Sequence, residues 1–116
     1  MNNIMLFTAA VAAALAATTA IAQGAPAGDV AKGREKIQMC QGCHGIEGWR
    51  TAFPEVYRVP RIGGQHEAYL VKALQQYRSG ERSHPSMRGI AATLSDQDIA
   101  DLAAYYARPE FRTAAK

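Results

Sequence analysis

The stretch Cys40-Gln41-Gly42-Cys43-His44 holds both cysteines of a 116-residue chain and one of its three histidines. Three chemistries compete for this motif. A structural zinc site needs four ligands, but there is no second cysteine pair, and His66 and His84 do not form a ligand-spaced pair. A thioredoxin-type redox pair needs a strand–turn–helix context, and no parallel-sheet pattern surrounds these residues. The third reading is C-x-x-C-H haem attachment. Cys40 and Cys43 then add across the two vinyl groups of one haem, and the adjacent His44 is placed under the iron. This reading leads, with a redox disulfide as its main rival.

A haem held this way calls for a second axial ligand. Beyond the N-terminal apolar segment the chain has two methionines, Met39 and Met87. Met39 directly precedes Cys40, on the His44 side, and cannot reach over the haem. Met87 lies in a Gly/Ser/Pro-containing stretch, Ser79–Gly89, predicted as a loop from which a thioether can swing onto the distal face. His84 and His66 are the alternatives, and a methionine by itself most often only fills core space.

Around the motif the pattern predicts three helices. The first runs from about Asp29 to Met39, capped by Asp29, with Val30, Gly33 and Ile37 recurring at helical spacing. Gly33 inside it costs helix stability, which points to close approach of another helix. The second runs from about Gln65 to Ser79, with Leu70, Ala73, Leu74 and Tyr77 as its apolar stripe and Gly80 as its stop. The third begins at Ser95, where Ser95-Asp96-Gln97-Asp98 forms a capping box with a shorter acid, and ends at Arg108-Pro109. Its buried face reads Ile99, Leu102, Ala103 and Tyr106, and Asp96, Asp98 and Asp101 suit the positive end of the helix dipole. Between the first two helices, Gly45–Gly64 is irregular, with Trp49, Phe53, Tyr57 and Ile62 interspersed. A loop that long and that aromatic is expected to wrap something apolar. The predicted fold class is all-α.

Ile4–Ala22 carries no charge and is alanine-rich. With Ala20-Ile21-Ala22 before Gln23 it has the pattern of a cleaved secretory signal over residues 1–22, although Met1–Phe7 lacks Lys and Arg. An uncleaved membrane anchor is the rival reading. Export leads to a periplasmic protein of residues 23–116, a single domain with no stable membrane insertion after cleavage. The length excludes a large enzyme and a multi-span membrane protein. A protein-only core of this size is thin, and a covalent cofactor would supply what is missing.

The segments Cys40-Gln41-Gly42-Cys43-His44-Gly45 and Pro60-Arg61-Ile62-Gly63-Gly64-Gln65, the Met87 stretch, and Leu94 through Tyr106 occur in that order. In this the chain resembles the class I c-type cytochromes, and within them single-haem relatives of the dihaem cytochrome c-four subgroup. The resemblance covers about Asp29 to Ala107. It implies a small class I fold of three main helices and loops wrapped around one covalent heme c. It also implies His44 and Met87 on the iron, and electron transfer without substrate chemistry. It further implies that the Pro60 carbonyl accepts the imidazole N–H, and that Gly33 packs against Tyr105, where the apolar stripe instead favours Tyr106. The Trp49–Val59 loop departs from the shorter polar loops of the subgroup.

The implied function is a soluble one-electron carrier, not an enzyme. The alternatives are a cytochrome c subunit docked on a periplasmic oxidoreductase, and a haem enzyme or gas sensor with an open iron. The expected partners are redox proteins, not nucleic acid. Of the formal net charge of +3, the excess lies in residues 50–88, where seven basic residues face three acidic ones. An electropositive rim that includes Arg82 and Arg88, steering a partner with an acidic docking face, is one reading of that asymmetry, and an ordinary solvated surface is the other.

Overall fold

The computed structural model describes residues 24–53 and 56–113. The predicted signal segment, residues 1–22, lies outside the described residues, as do Pro54 and Glu55.

The first predicted helix forms and then continues. Asp29 caps α1 (Val30–Lys36), its side chain accepting from the N–H groups of Ala31 and Lys32. Ile37 interrupts the hydrogen-bond ladder but keeps right-handed helical dihedrals, so α2 (Gln38–His44) follows at once. The attachment motif therefore ends a helix, five residues beyond the expected stop. Next comes a two-residue antiparallel pair, β1 (Arg50–Thr51) and β2 (Tyr57–Arg58), inside the segment read as irregular. Helix α3 (Glu67–Ser79) ends at Gly80, whose φ of 85° is the left-handed geometry that only glycine adopts at little cost.

Met87 does not sit in a loop. Pro85 opens a short helix, α4 (Pro85–Ala91), where its missing N–H is no loss, and His84 caps it through a long 3.4 Å contact from the Met87 N–H to Nδ1. Helix α5 (Asp96–Tyr106) starts with the expected capping box, Ser95 and Asp98 bonding reciprocally. A last turn, α6 (Glu110–Thr113), follows Pro109. The architecture is thus mostly helical, as expected, with three main helices and short additions.

The frame is the crossing of α1 over α5, with α3 packed against α5 and α4. Leu94, Ile99 and Leu102 form its buried apolar cluster, joined by Ile37, Val71, Leu74 and Tyr106. At the crossing, a Cβ on Gly33 would run into the Asp101 carbonyl oxygen and come within 2.8 Å of the Tyr105 Cβ. The glycine therefore meets Tyr105. Tyr106, favoured by the stripe, packs against the core cluster instead, with its ring 5.1 Å from that of Tyr105.

Asp101 is fully buried. Its carboxylate accepts from Lys36 Nζ at 2.7 Å, the Asp29 N–H at 2.9 Å and Gln97 Nε2 at 2.8 Å. Lys36 also pairs with Asp98 at 2.7 Å. This residue, read as a helix-dipole acid, instead anchors the start of α1 to α5.

Candidate functional site

The two cysteines lie three residues apart on α2, so they share one helix face. Cys40 is half-buried against the core cluster, and Cys43 is exposed. Burial pushes the Cys40 thiol up, partly offset by a hydrogen bond with the Tyr106 hydroxyl. Tyr106 itself is pushed far up, first by burial and then by Cys40.

His44, the last residue of α2, has its Nδ1 2.7 Å from the Pro60 carbonyl oxygen. A carbonyl oxygen only accepts, so Nδ1 carries the proton and Nε2 keeps the ring's free lone pair. Pro60 stands at the end of the irregular segment, which fixes the ring across 16 residues of chain.

These side chains border a crevice with two connected parts. The inner cavity, about 180 Å³, has apolar walls that include Leu70, Leu74 and Leu102. The outer one, about 490 Å³, is bordered by Thr51, Tyr57 and His84. Cys40, His44, Pro60, Tyr77, Met87 and Ile90 line both. All five residues expected at the site therefore border this crevice, since Cys43 lines the outer part. Of the two other histidines, His84 borders the outer cavity with its Nδ1 already engaged by the Met87 N–H, whereas exposed His66 lines neither. A larger open groove of about 910 Å³, between Ala25–Ala27 and α3, contains none of the site residues.

One part of the site was missed from the sequence. Arg61, Gln65, Tyr69 and Arg82 make a polar end to the inner cavity. Arg82 donates to the Tyr69 hydroxyl at 3.0 Å and lies 5.5 and 5.4 Å from the Tyr69 and Tyr77 ring centroids. It is a clamped, half-buried cation and not the free rim charge expected of it. The signal was present: Tyr69 and Tyr77 are eight residues apart, on one face of α3. Arg88 is exposed, with its guanidinium near Gly80.

The donor set fits a haem. Two thiols share one helix face, an imidazole with a free lone pair and a thioether border the same space, the walls are apolar, and one end carries a guanidinium and hydroxyl suited to carboxylates.

The family model for cytochrome c matches residues 30–107. The chain belongs to the cytochrome c family. Cytochromes c carry covalently bound heme c, and Cys40 and Cys43 are consistent with its C-x-x-C-H attachment motif. The chain is accordingly a cytochrome c4-like electron-transfer haem protein. It is 42% identical to cytochrome c4 of Pseudomonas aeruginosa over 81 residues, covering 70% of this chain and 38% of that protein. It is 42% identical to cytochrome c-554(548) of Halomonas halodenitrificans over 87 residues, covering 72% of this chain and all of that one. The solved structure of reduced recombinant cytochrome c4 from Pseudomonas stutzeri superposes with a TM-score of 0.55 at 30% identity, over 72% of this chain and 51% of that one. The chain thus spans 38% of the Pseudomonas aeruginosa cytochrome c4 and 51% of the Pseudomonas stutzeri structure, but the whole of cytochrome c-554(548).

Proposed function

We propose that this cytochrome c is a periplasmic one-electron carrier whose iron is held between His44 and Met87, with no substrate chemistry of its own. The observation that carries the proposal is the pairing of a tautomer-fixed imidazole and a thioether on one crevice: His44 bonded to Pro60 at 2.7 Å, and Met87 bordering the same two cavities. When bound, the haem supplies a reversible change between ferric and ferrous iron.

The chain's residues set the conditions for that change. The Pro60 carbonyl holds the Nδ1 proton, which keeps Nε2 unprotonated and the ring in one orientation. A soft thioether from Met87 favours the ferrous state and raises the potential relative to a second imidazole. With both residues on the iron no coordination position would be left open, which argues against the gas-sensor reading. The apolar walls would keep water away from the group, and Arg82 with the Tyr69 hydroxyl would meet its carboxylates. Periplasmic location rests on the leader-like residues 1–22; no helix among the described residues is long and apolar enough to cross a membrane.

The class of partner is an oxidoreductase. A relative in Stutzerimonas stutzeri is named as a thiosulfate dehydrogenase electron acceptor and is 40% identical over 65 residues. That supports the alternative of a subunit docked on such an enzyme, for which sedimentation of the exported protein is the discriminating measurement.

Met87→Ala tests the ligation. The variant is expected to lose the weak long-wavelength band of a thioether-ligated ferric haem, to bind carbon monoxide when reduced, and to show a markedly lower potential. His66→Ala should change none of these. A wild-type spectrum surviving in Met87→Ala overturns the assignment.

A further inference from the structure

The hairpin of β1 and β2 leaves its apolar tip in water. Phe53 is 86% exposed and Val56 69%, and Trp49, Tyr57 and Met39 are also large apolar side chains open to solvent. Its register sets Arg50 opposite Arg58, both exposed. Like charges directly opposite destabilise a strand pair. Among the described residues neither arginine forms an ion pair; Glu55, in the same segment, lies outside them. A hairpin serving only its own stability gains nothing from either feature.

The hairpin is nevertheless tied down beside the site. The Tyr57 ring lies 5.0 Å from the His84 ring, and the Val59 N–H donates to the Trp49 carbonyl at 2.9 Å. Thr51, Tyr57, Arg58 and Val59 line the outer cavity together with Cys43 and Met87. The hairpin is therefore part of the wall of the crevice.

We propose that this hairpin is the docking surface for an acidic redox protein: Phe53 and Val56 enter an apolar hollow on the partner, and Arg50 and Arg58 pair with carboxylates on its rim. The proposal rests on the electron-carrier reading and adds the chemistry of the partner. Guanidinium forks match carboxylates in bidentate geometry, which suits two arginines flanking an apolar centre. A second copy of this chain is a poorer occupant. A two-fold contact through this face brings the arginine pairs of both copies together, and like-charge juxtaposition is costly.

The test uses the haem-loaded protein and two electron donors of opposite character. An acidic flavodoxin in its hydroquinone state is the protein donor; it passes one electron to the ferric cytochrome and becomes the semiquinone. Hexacyanoferrate(II), a small anion without an apolar face, is the other; it passes one electron and becomes hexacyanoferrate(III). Phe53→Ser is expected to slow the flavodoxin reaction roughly fivefold and leave the hexacyanoferrate rate unchanged. Arg50→Glu/Arg58→Glu should slow both by about tenfold at ~10 mM salt and much less at ~300 mM. Spectrum and potential should stay those of the wild type in Phe53→Ser; because Arg58 lines the outer cavity, the rates of the charge-reversed variant are compared at its own measured potential. Flavodoxin rates within twofold of wild type in both variants, with Arg88→Glu alone slowing transfer, overturn the proposal and move the face to α4. A concentration-dependent dimer abolished by Phe53→Ser overturns it in favour of a second copy. If the wild type exchanges electrons with neither donor, the carrier reading fails instead; normal hexacyanoferrate transfer with unaltered flavodoxin rates removes only the docking face.

Discussion

Where α1 crosses α5, Gly33 meets the backbone of Asp101, and a buried carboxylate has three donors around it. Where the segment from Gly45 to Gly64 passes the crevice, Trp49, Phe53, Val56 and Tyr57 stand open to water. The first region is completed by contacts within the chain. The second is completed by what binds to it, a haem on its inner side and, as proposed, a protein on its outer side. The contrast explains why so small a domain holds together. Its buried apolar cluster consists of Leu94, Ile99 and Leu102, and this cluster borders the crevice through Leu94 and Leu102. Without the haem, one side of the core is a hole, and voids in a core forfeit contact energy.

The largest effect comes from emptying the second region. Cys40→Ala/Cys43→Ala removes both attachment points, and the exported variant is expected to lose cooperative unfolding and become protease-sensitive. Circular dichroism on heating checks it. A haem-free variant that unfolds cooperatively at the wild-type temperature would show that the helical frame is self-sufficient, and the contrast between the regions would collapse.

Legibility in the sequence follows the same division. The caps at Asp29 and Ser95, the stop at Gly80 and the stripe on α3 were readable because each depends on residues within one or two turns. The attachment motif was readable because its chemistry requires adjacent positions. Helix α4 was not, because Gly80, Ser83, Pro85 and Ser86 read as a loop, whereas Pro85 takes the first helical position and His84 supplies a cap that propensity does not favour. The extension to α2 and the strand pair depend on what the segment packs against. So do the two tyrosines: adjacent on α5 and in edge contact with each other, they have different neighbours, Gly33 at the Tyr105 Cβ and Cys40 at the Tyr106 hydroxyl. The family resemblance paired Gly33 with Tyr105 where periodicity alone favoured its neighbour. The burial of Asp101 was invisible, since its partners lie 65 and 72 residues away.

A second, smaller effect separates the regions by direct substitution. Gly33→Ala places a methyl group into the Asp101 carbonyl, a backbone atom that cannot rotate away. Overpacking of this kind costs about 1–3 kcal/mol. Phe53→Ser, at an exposed tip, should stay within about 0.5 kcal/mol of wild type. Guanidinium unfolding of the two holoproteins measures both. Equal effects would mean that the hairpin belongs to the folded frame as much as the crossing does.

The smallest expected effect is the acid response of the crossing. The Lys36 ammonium, which donates to Asp101, holds that carboxyl at about 2 against a usual value of 3.8; the Asp29 N–H and Gln97 assist, and burial opposes. Asp98 is lowered in the same way, first by Lys36 and then by Ser95. A carboxylate with a folded value below its unfolded one binds fewer protons when folded, so unfolding takes up protons across the interval between the two. Its stabilisation is complete above about pH 4, shrinks as pH falls, and is gone below about pH 2. Lys36, raised by the same two carboxylates, has the opposite sign: its contribution is complete below 10.5 and lost as pH rises through its higher folded value. Thermal midpoints of wild type and Lys36→Met, compared from about pH 5 down to about pH 3, isolate this contribution, because acid effects at the haem are common to both. The gap between the two proteins should narrow as pH falls. A gap that stays constant over that interval would show that Lys36 holds the crossing by packing of its alkyl chain and not by its charge.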